Sequence, residues 1–334
     1  MKPPEPLRAT DPFAVEQLSP DFGFYLRTTQ LLAERRSAMQ HIEIVQTPLF
    51  GRAMRIDGCF MTSEQDDFFY HEPMIHLPAI THGNVRQALV IGGGDGGAAH
   101  NLLRYPGMQR VVLAELDRDV IDVAREWLPG VHHGAFDDPR LEIHIGDGRA
   151  FIEGSQAQFD QIVLDLTDPF GPAVALYTRD FYRICQRALK PDGVMSLHIQ
   201  SPIHRGETMA RIVASVRSVF GVVRPYLQYV PLYGTLWGMA MASNQADPLA
   251  LPAAEVDARL ARHGLNDLKL YSGATHHALL ALPPFVKALL DAPAPPIDDG
   301  DCLDDPSLAQ DTGSLKLVAA GGGNTVAQRR FCGI

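Results

Sequence analysis

Seven short apolar segments recur through the second part of this 334-residue chain, and helix-like segments separate most of them. Near-continuous apolar strands that alternate with helices are typical of a parallel sheet covered on both faces. The last two segments have no helix between them, which predicts an antiparallel hairpin at one edge. The predicted strands span residues 87–93, 110–117, 141–147, 161–168, 194–200, 222–230 and 237–243. We therefore predict an α/β fold with a Rossmann-like, seven-stranded domain of the methyltransferase type.

The rest of the chain divides by composition into three further regions. Residues 1–20 are polar and rich in proline, which predicts a flexible arm. Residues 21–82 alternate between apolar and polar positions and contain a turn signal, which predicts a small N-terminal antiparallel β-domain. The Rossmann-like domain follows over residues 83–291. Residues 292–334 are rich in proline, glycine and aspartate, and we predict a weakly structured C-terminal tail.

The charge balance limits the classes of partner. The chain has 29 Lys and Arg against 39 Asp and Glu, a formal net charge of -10. Such a surface repels phosphate backbones and anionic lipids, so we expect neither nucleic acid nor membrane as a partner, whereas a cationic small molecule is attracted. The N-terminus has no apolar signal segment, and no run approaches the ~18 apolar residues of a membrane span, so we expect a cytoplasmic protein.

A resident metal is not predicted. The four cysteines include no C-x-x-C pair, and the histidine pairs at 132–133 and 276–277 have no carboxylate or histidine at ligand spacing. Solvated or helix-capping histidines are the more common explanation for such pairs.

The glycine-rich segment 92–97 combines two features with opposite implications for the charge of its ligand. Gly92, Gly94 and Gly97 fit the G-x-G-x-x-G spacing of a dinucleotide-binding turn, and we expect Gly92 and Gly94 to border a cofactor. Asp95, in the middle, would repel a pyrophosphate but attract a sulfonium or an ammonium group. NAD is therefore disfavoured. The alternative role for Asp95 is to cap the helix that follows.

Acidic residues also stand at the ends of the following predicted strands. Glu115 lies 18 residues after Gly97, close to the ~20 expected for an acid that binds a ribose diol. Asp147, followed by Gly148, is placed to accept a hydrogen bond from an adenine amino group. Carboxyl ends of parallel strands meet at the ligand edge of the sheet, so both features suit an adenosine cofactor. Capping alone accounts poorly for acids at four successive strand ends.

The fourth strand ends in two carboxylates, Asp165 and Asp168. An alkylamine substrate arrives protonated, because its pKa resembles the ~10.4 of lysine. A carboxylate beside it must hold the cation and then accept a proton before nitrogen can attack carbon. We expect Asp165 to be this base and Asp168 to anchor the cation. The alternative is an ordinary pair of aspartates in a turn.

Three aromatic residues are candidates for pocket walls: Tyr70, His71 and Tyr233. Aromatic faces can flank an alkyl chain or a cation. Taken singly, each such residue is more often part of a core or an interface.

Together, five segments resemble the spermidine synthases, the polyamine aminopropyltransferases, and the resemblance covers roughly residues 40–290. These segments are GRAMRIDGCFMTSEQDDFFYHE, VIGGGDGGAA, AELDRDVIDVAREWLPG, DDPRLEIHIGDG and DLTDPFGPA. The resemblance implies transfer of an aminopropyl group from decarboxylated S-adenosylmethionine to a polyamine amine, with release of methylthioadenosine. Putrescine, giving spermidine, is the first choice of acceptor. It also implies no permanently bound cofactor and a homodimer or homotetramer.

The resemblance also implies roles for individual residues. Asp95 would hold the amine of the aminopropyl group, and Asp165 would be the catalytic base. The residues around the nucleoside would be Gln40, Glu115, Asp147, Gly148 and Pro172. The residues that line the acceptor site would be Tyr70, His71, Asp168 and Tyr233.

The chain departs from the family pattern at three places that bear on the acceptor. The acidic loop contains Leu166 and Thr167, His198 stands where the family usually has glutamine, and Leu232 interrupts the usual P-T-Y. We include His198 among the substrate-binding residues, and a cationic histidine there would oppose a second ammonium. Agmatine, cadaverine or a triamine are therefore alternative acceptors. The alternatives of a different class are an S-adenosylmethionine-dependent amine N-methyltransferase and a non-catalytic polyamine-binding protein.

Overall fold

A computed structural model describes residues 12–19, 22–303, 315–318 and 324–327. Its N-terminal part contains a two-stranded antiparallel hairpin, β1–β2, and a four-stranded antiparallel sheet in the order β3-β4-β5-β6. The strands are β1 (Phe13–Ser19), β2 (Phe22–Arg27), β3 (Gln30–Arg36), β4 (His41–Thr47), β5 (Gly51–Ile56) and β6 (Cys59–Ser63). The predicted N-terminal antiparallel β-domain is confirmed.

Residues 13–19 correct the prediction of a flexible arm over residues 1–20, because they form β1. Ala14 is buried in a small apolar cluster with Phe60 and Leu232. The Glu16 carboxylate accepts a hydrogen bond from the Phe60 backbone N–H at 2.6 Å. These contacts hold β1 against the rest of the N-terminal domain. Residues 1–11, 20 and 21 lie outside the described part.

A seven-stranded sheet forms the second part, in the order β12-β13-β11-β10-β7-β8-β9. Strands β7 to β11 run parallel, and β13 pairs antiparallel with both β11 and β12. The strands are β7 (Gln87–Gly92), β8 (Arg110–Glu115), β9 (Leu141–Ile145), β10 (Phe159–Asp165), β11 (Leu189–Gln200), β12 (Val222–Val230) and β13 (Thr235–Ser243). The Rossmann-like, methyltransferase-type fold and the edge hairpin are thus confirmed. The strand order reverses between β7 and β10, where open α/β sheets bind ligands.

Helices cover both faces of this sheet. In β7, Ala88 and Val90 face one apolar cluster, whereas Leu89 and Ile91 face the other. The helices are α1 (Asp67–His82), α2 (Gly97–Leu103), α3 (Arg118–Trp127), α4 (Pro129–His132), α5 (Gly148–Glu153), α6 (Arg179–Ala188), α7 (Gly206–Arg217), α8 (Ala253–Arg262), α9 (Gly273–Leu280) and α10 (Pro284–Asp291). Within the described residues, no helix combines the length and the apolar character that a membrane span requires.

Helix α1, which we grouped with the N-terminal domain, belongs to the core of the large sheet. Its Met74 and Ile75 are fully buried in the same apolar cluster as Val90. Every position from Tyr70 to Thr81 is buried, so this part of the helix has no face exposed to solvent.

The first part of the predicted C-terminal tail is also packed. Ile297 is fully buried, and its backbone N–H donates to Ser215 Oγ at 2.7 Å. The Asp299 carboxylate pairs with the Arg149 guanidinium at 2.5 Å. Burial of one apolar side chain and these polar contacts attach residues 292–303 to the α/β domain. Beyond them the structure describes two short paired strands, β14 (Leu315–Val318) and β15 (Asn324–Ala327).

Candidate active site

Three side chains from distant parts of the sequence meet at the ligand edge of the sheet, and we call them the inner cluster: His71, Asp95 and Asp165. Helix α1 supplies His71, the turn after β7 supplies Asp95, and the end of β10 supplies Asp165. His71 Nε2 lies 3.7 Å from Asp95 Oδ2 and 3.9 Å from Asp165 Oδ2. One polar atom from each residue lies within 4.8 Å of the others, so the three side chains interact electrostatically.

The charges of the inner cluster determine each other's protonation. Burial by itself lowers the pKa of His71, but the charges of Asp95, Asp67 and Asp165 outweigh it and raise that pKa to about 9. Burial, followed by the charge of Asp95, raises the pKa of Asp165 to about 6, although His71 and Tyr70 act in the opposite direction. At neutral pH the cluster therefore holds a cationic imidazole between carboxylates.

Two buried atoms of the inner cluster have no hydrogen-bond partner among the described residues. They are His71 Nδ1 and Asp165 Oδ2. The other oxygen of Asp165 accepts a hydrogen bond from the Tyr70 hydroxyl at 3.0 Å. Buried polar atoms are usually paired, so an unpaired carboxylate oxygen at a ligand edge is available to a substrate group.

The glycines of the turn after β7 make room for the inner cluster. A Cβ at Gly92 would lie 2.1 Å from the carbonyl oxygen of Asp165, and one at Gly97 would lie 2.2 Å from Cε1 of His71. The positive φ of 78° at Gly92 also favours glycine. Glycine at these two positions therefore allows close approach of the Asp165 backbone at Gly92 and of the His71 ring at Gly97. A direct contact of Gly92 with a cofactor stays a prediction.

Asp95 bonds to the first residue of the helix that follows, although the N-cap residue of that helix is Gly96. Its Oδ1 accepts a hydrogen bond from the Gly97 backbone N–H at 2.9 Å, while Oδ2 faces His71. One oxygen therefore stabilises the start of α2, and the other contributes negative charge to the inner cluster.

A second group of acids, the outer cluster, lies at the ends of β8 and β9 and consists of Glu115, Asp117 and Asp147. Glu115 is 8% exposed, and its Oε1 accepts a hydrogen bond from the Asp117 backbone N–H at 2.9 Å. Burial, with a further contribution from the charge of Asp117, raises the pKa of Glu115 to about 7. A Cβ at Gly94 would lie 2.9 Å from Glu115 Oε2, so this glycine makes room for the carboxylate.

The loop between β3 and β4 brings Gln40 close to the outer cluster. Ser37 Oγ lies 2.5 Å from Asp117 Oδ2, and the Gln40 backbone N–H donates to the same Ser37 hydroxyl at 3.0 Å. The N-terminal domain therefore contacts the end of β8 at this point.

Asp147 is the N-cap of α5. Its Oδ1 accepts from the backbone N–H groups of Arg149 and Ala150, at 2.8 and 3.3 Å. A Cβ at Gly148 would lie 2.5 Å from Ile91 Cγ2, so glycine is needed there for packing against β7. Capping thus explains more of the strand-end acids than the sequence suggested. Pro172 lies in the 3-10 turn Gly171–Leu176, and its side chain is outside the described part.

The second aspartate of the acidic loop has a protein partner. Asp168 Oδ1 accepts a hydrogen bond from the Gln200 side-chain amide at 2.9 Å. His198 Nε2 lies 2.7 Å from the Tyr177 hydroxyl and 3.0 Å from the Leu166 carbonyl. Burial lowers the pKa of His198, although the charge of Asp168 acts against it, so the imidazole is neutral at pH 7. His198 therefore adds no positive charge that would oppose an ammonium.

Tyr70 and Tyr233, two of the predicted wall residues, lie near each other, and their role as pocket walls stays a prediction. The Tyr233 ring lies edge-on to Tyr70 at 6.1 Å and to Trp237 at 5.1 Å, between ring centroids. The Tyr233 hydroxyl donates to the Met61 carbonyl at 2.7 Å, so its single proton is already used within the protein.

Sequence reasoning missed three residues of this region. Tyr177, Gln200 and Trp237 approach the predicted acceptor residues through side chains, and none belongs to a glycine or acidic motif. The signal that was available is the run of polar residues at the end of β11, where an otherwise apolar buried strand includes His198 and Gln200.

A methyltransferase-type sheet with carboxylates at the carboxyl ends of several neighbouring strands defines a class of protein. That class is the nucleoside-cofactor transferases.

Comparison with known proteins identifies the family. A family model described as the spermine/spermidine synthase domain matches residues 67–250, and one described as the spermidine synthase tetramerisation domain matches residues 13–64. A polyamine aminopropyltransferase of Nitrosomonas europaea is 76% identical over 318 residues, which are 95% of this chain and 98% of the relative. One of Bacillus subtilis is 35% identical over 276 residues, 82% and 97% of the two chains.

Solved structures agree with this identification. A spermidine synthase in complex with the transition state analogue AdoDATO has a TM-score of 0.80 and 34% identity, covering 85% of this chain and 96% of that one. The spermidine synthase of Thermotoga maritima has a TM-score of 0.78 and 33% identity, covering 84% and 94%. The chain belongs to the spermine/spermidine synthase family, and it is an aminopropyltransferase enzyme.

Proposed function

We propose that this enzyme transfers the aminopropyl group of decarboxylated S-adenosylmethionine to a diamine, with putrescine as the first choice and spermidine as the product. The observation that carries the proposal is Asp165 Oδ2. It is buried, it has no hydrogen-bond partner among the described residues, and it faces the same imidazole as Asp95. This arrangement suits a site that holds and deprotonates an amine.

The negative charge of Asp95 supports decarboxylated S-adenosylmethionine as the co-substrate. Asp95 Oδ2 would bind the ammonium of the aminopropyl group, and unmodified S-adenosylmethionine would bring a carboxylate into the same anionic space. Two like charges a few ångströms apart in a buried site repel strongly. Decarboxylation removes this repulsion. It is also the reason that we favour aminopropyl transfer over N-methylation.

The proposed reaction begins with loss of one proton from the acceptor ammonium to Asp165. The nitrogen lone pair then attacks the aminopropyl carbon bonded to sulfur, and a C–N bond forms. The C–S bond breaks with its electron pair on sulfur, so the sulfonium becomes the neutral thioether of methylthioadenosine. The product nitrogen remains a secondary ammonium, and one proton is released overall. Because the pKa of Asp165 is raised, its carboxylate is a better proton acceptor than an exposed aspartate.

The remaining residues divide between the two substrates. We propose that Glu115 accepts hydrogen bonds from the ribose hydroxyls and Asp147 accepts one from the adenine amino group. Gln40, Gly92, Gly94, Gly148 and Pro172 would surround the nucleoside. Asp168 would bind the distal ammonium of the acceptor, and Tyr70, His71, His198 and Tyr233 would line that half of the site. The match to the tetramerisation domain supports a homo-oligomer, a homodimer or homotetramer.

The test is incubation with decarboxylated S-adenosylmethionine and, separately, putrescine, cadaverine, agmatine or spermidine. We expect methylthioadenosine in a 1:1 ratio with the aminopropylated amine, and fastest with putrescine. An enzyme that binds the nucleoside but forms no methylthioadenosine with any of these amines would contradict the proposal. Faster turnover of another amine would correct the acceptor and leave the reaction type intact. S-adenosylmethionine with the same amines is the control for N-methylation.

A further inference from the structure

The acidic loop between Asp165 and Asp168 is held in place by three side chains. The Tyr177 hydroxyl donates to the Thr167 carbonyl at 2.8 Å, and the Gln200 amide donates to Asp168 Oδ1 at 2.9 Å. His198 Nε2 lies 3.0 Å from the Leu166 carbonyl. Each residue that follows Asp165 in the loop therefore has its own partner.

The hydrogen-bond partners in this network are all satisfied by one assignment of proton positions. The single hydroxyl proton of Tyr177 goes to Thr167, so Tyr177 accepts from His198 Nε2–H at 2.7 Å. The Nδ1 of the neutral imidazole then carries a lone pair, and the Gln200 amide nitrogen lies 3.5 Å from it. The amide of Gln200 must therefore present its NH2 group toward both His198 and Asp168.

The backbone at Gln200 is unusual. Its φ is 75°, in the left-handed region that non-glycine residues rarely adopt, and the residue is 1% exposed. The pairing of β11 with β13 shifts register between His198 and Gln200, which marks a bulge. Across this bulge, a Cβ at Gly238 would lie 2.6 Å from the Gln200 carbonyl oxygen. Strained backbone and bulges are retained where they direct a side chain to a functional position.

We propose that Gln200 is a positioning residue that orients Asp168, and that it thereby sets the enzyme's preference for acceptors with a second ammonium group. The inference rests on the proposed function, in which Asp168 binds the distal ammonium. Gln200 uses one lone pair of Oδ1 and leaves Oδ2 for the substrate. An amide can hold the carboxylate without adding a charge of its own, so the negative charge offered to the acceptor stays on Asp168.

The role of Gln200 separates two kinds of acceptor. A diamine needs Asp168 for its distal ammonium as well as Asp165 for its reacting nitrogen. A monoamine of the same length needs only Asp165. Loss of the Gln200 amide should therefore weaken binding of a diamine and leave a monoamine almost unaffected.

The experiment compares 1,4-diaminobutane with n-butylamine at saturating decarboxylated S-adenosylmethionine. The variants are Gln200→Gly and Gln200→Asn, because both residues tolerate a positive φ, while neither carries an amide that reaches Asp168. A hydrogen bond to a charged group corresponds to about 10- to 100-fold in affinity. We expect the diamine KM to rise about tenfold or more with kcat within about threefold, and kcat/KM for butylamine to change less than about threefold. Gln186→Ala, which removes an amide bonded to Val219 and Asn244, is the control and should change neither acceptor.

The outcomes separate this inference from the proposed function. Equal losses with both amines would mean that Gln200 is only structural, and an unchanged preference would mean that it does not position Asp168. Either result overturns the inference, as does a folded variant that binds methylthioadenosine but turns over neither amine. Failure of the unmodified enzyme to transfer to the diamine would instead count against the proposed function.

Discussion

The inner cluster and the outer cluster both contain carboxylates that follow or end strands of the large sheet, but Asp165 of the inner cluster is held differently from Glu115 and Asp147 of the outer cluster. In the outer cluster, Glu115 and Asp147 both accept backbone N–H groups. In the inner cluster, one buried oxygen of Asp165 has no hydrogen-bond partner among the residues that the structure describes, and it lies near the His71 ring instead. A carboxylate held by the backbone is well suited to binding neutral hydroxyl or amino groups. One held against other charges is poised to bind a cation or accept a proton.

The largest expected effect tests the inner cluster. Asp165→Asn keeps an acceptor for the Tyr70 hydroxyl but removes the proton acceptor, so kcat should fall about 10²- to 10⁴-fold. Methylthioadenosine affinity, measured by calorimetry, should stay within about threefold. If this variant weakened nucleoside binding as much as it slowed turnover, the two clusters would not have separate roles.

The corresponding change in the outer cluster is Glu115→Gln. An amide has one acceptor oxygen and no charge, so it binds a pair of ribose hydroxyls less strongly than a carboxylate, and methylthioadenosine affinity should fall about 10- to 100-fold. At saturating co-substrate, kcat should change far less. A large loss of kcat with intact nucleoside affinity would contradict this prediction and assign Glu115 a role in the chemical step.

The two clusters should also differ in pH dependence. Both raised pKa values belong to acids that function in the ionised form, so function is present at high pH and lost as pH falls through the raised value. We expect kcat to decline below about pH 6, from Asp165, and nucleoside affinity to decline below about pH 7, from Glu115. Kinetics and calorimetry over pH 5–9 give the two curves. The affinity decline should disappear in Glu115→Gln, and its persistence there would assign it to another group.

The smallest expected effect tests the capping role of Asp147 in the outer cluster. Asp147→Ala removes the N-cap of α5 and should lower the free energy of unfolding by about 1 kcal/mol. Asp147→Asn keeps a capping oxygen and should retain most of that stability. Urea denaturation of the two variants measures the difference. Equal destabilisation by alanine and asparagine would show that the cap geometry is not the source of the stability.

A site residue could be predicted where its position follows from a local sequence pattern, and could not where its position depends on distant parts of the chain. Asp165, Asp95 and Glu115 could be placed near one edge because each follows a strongly apolar strand. The role of Gln200 could not be predicted from the sequence. The orientation of its side chain depends on a bulge against β13 and on a left-handed backbone conformation, and no local motif indicates either. The same applies to His71, whose pKa depends on carboxylates 24 and 94 positions away in the chain.

The sequence by itself determined the sheet, its covered faces and the edge to which the acids belong, because these follow from periodic burial and from the direction of parallel strands. Only the tertiary structure decided which acids lie against each other, which of them the backbone satisfies, and that the turn glycines make room for Asp165 and His71. The physical reason is that charge, burial and steric clearance depend on distances of a few ångströms between segments far apart in the chain.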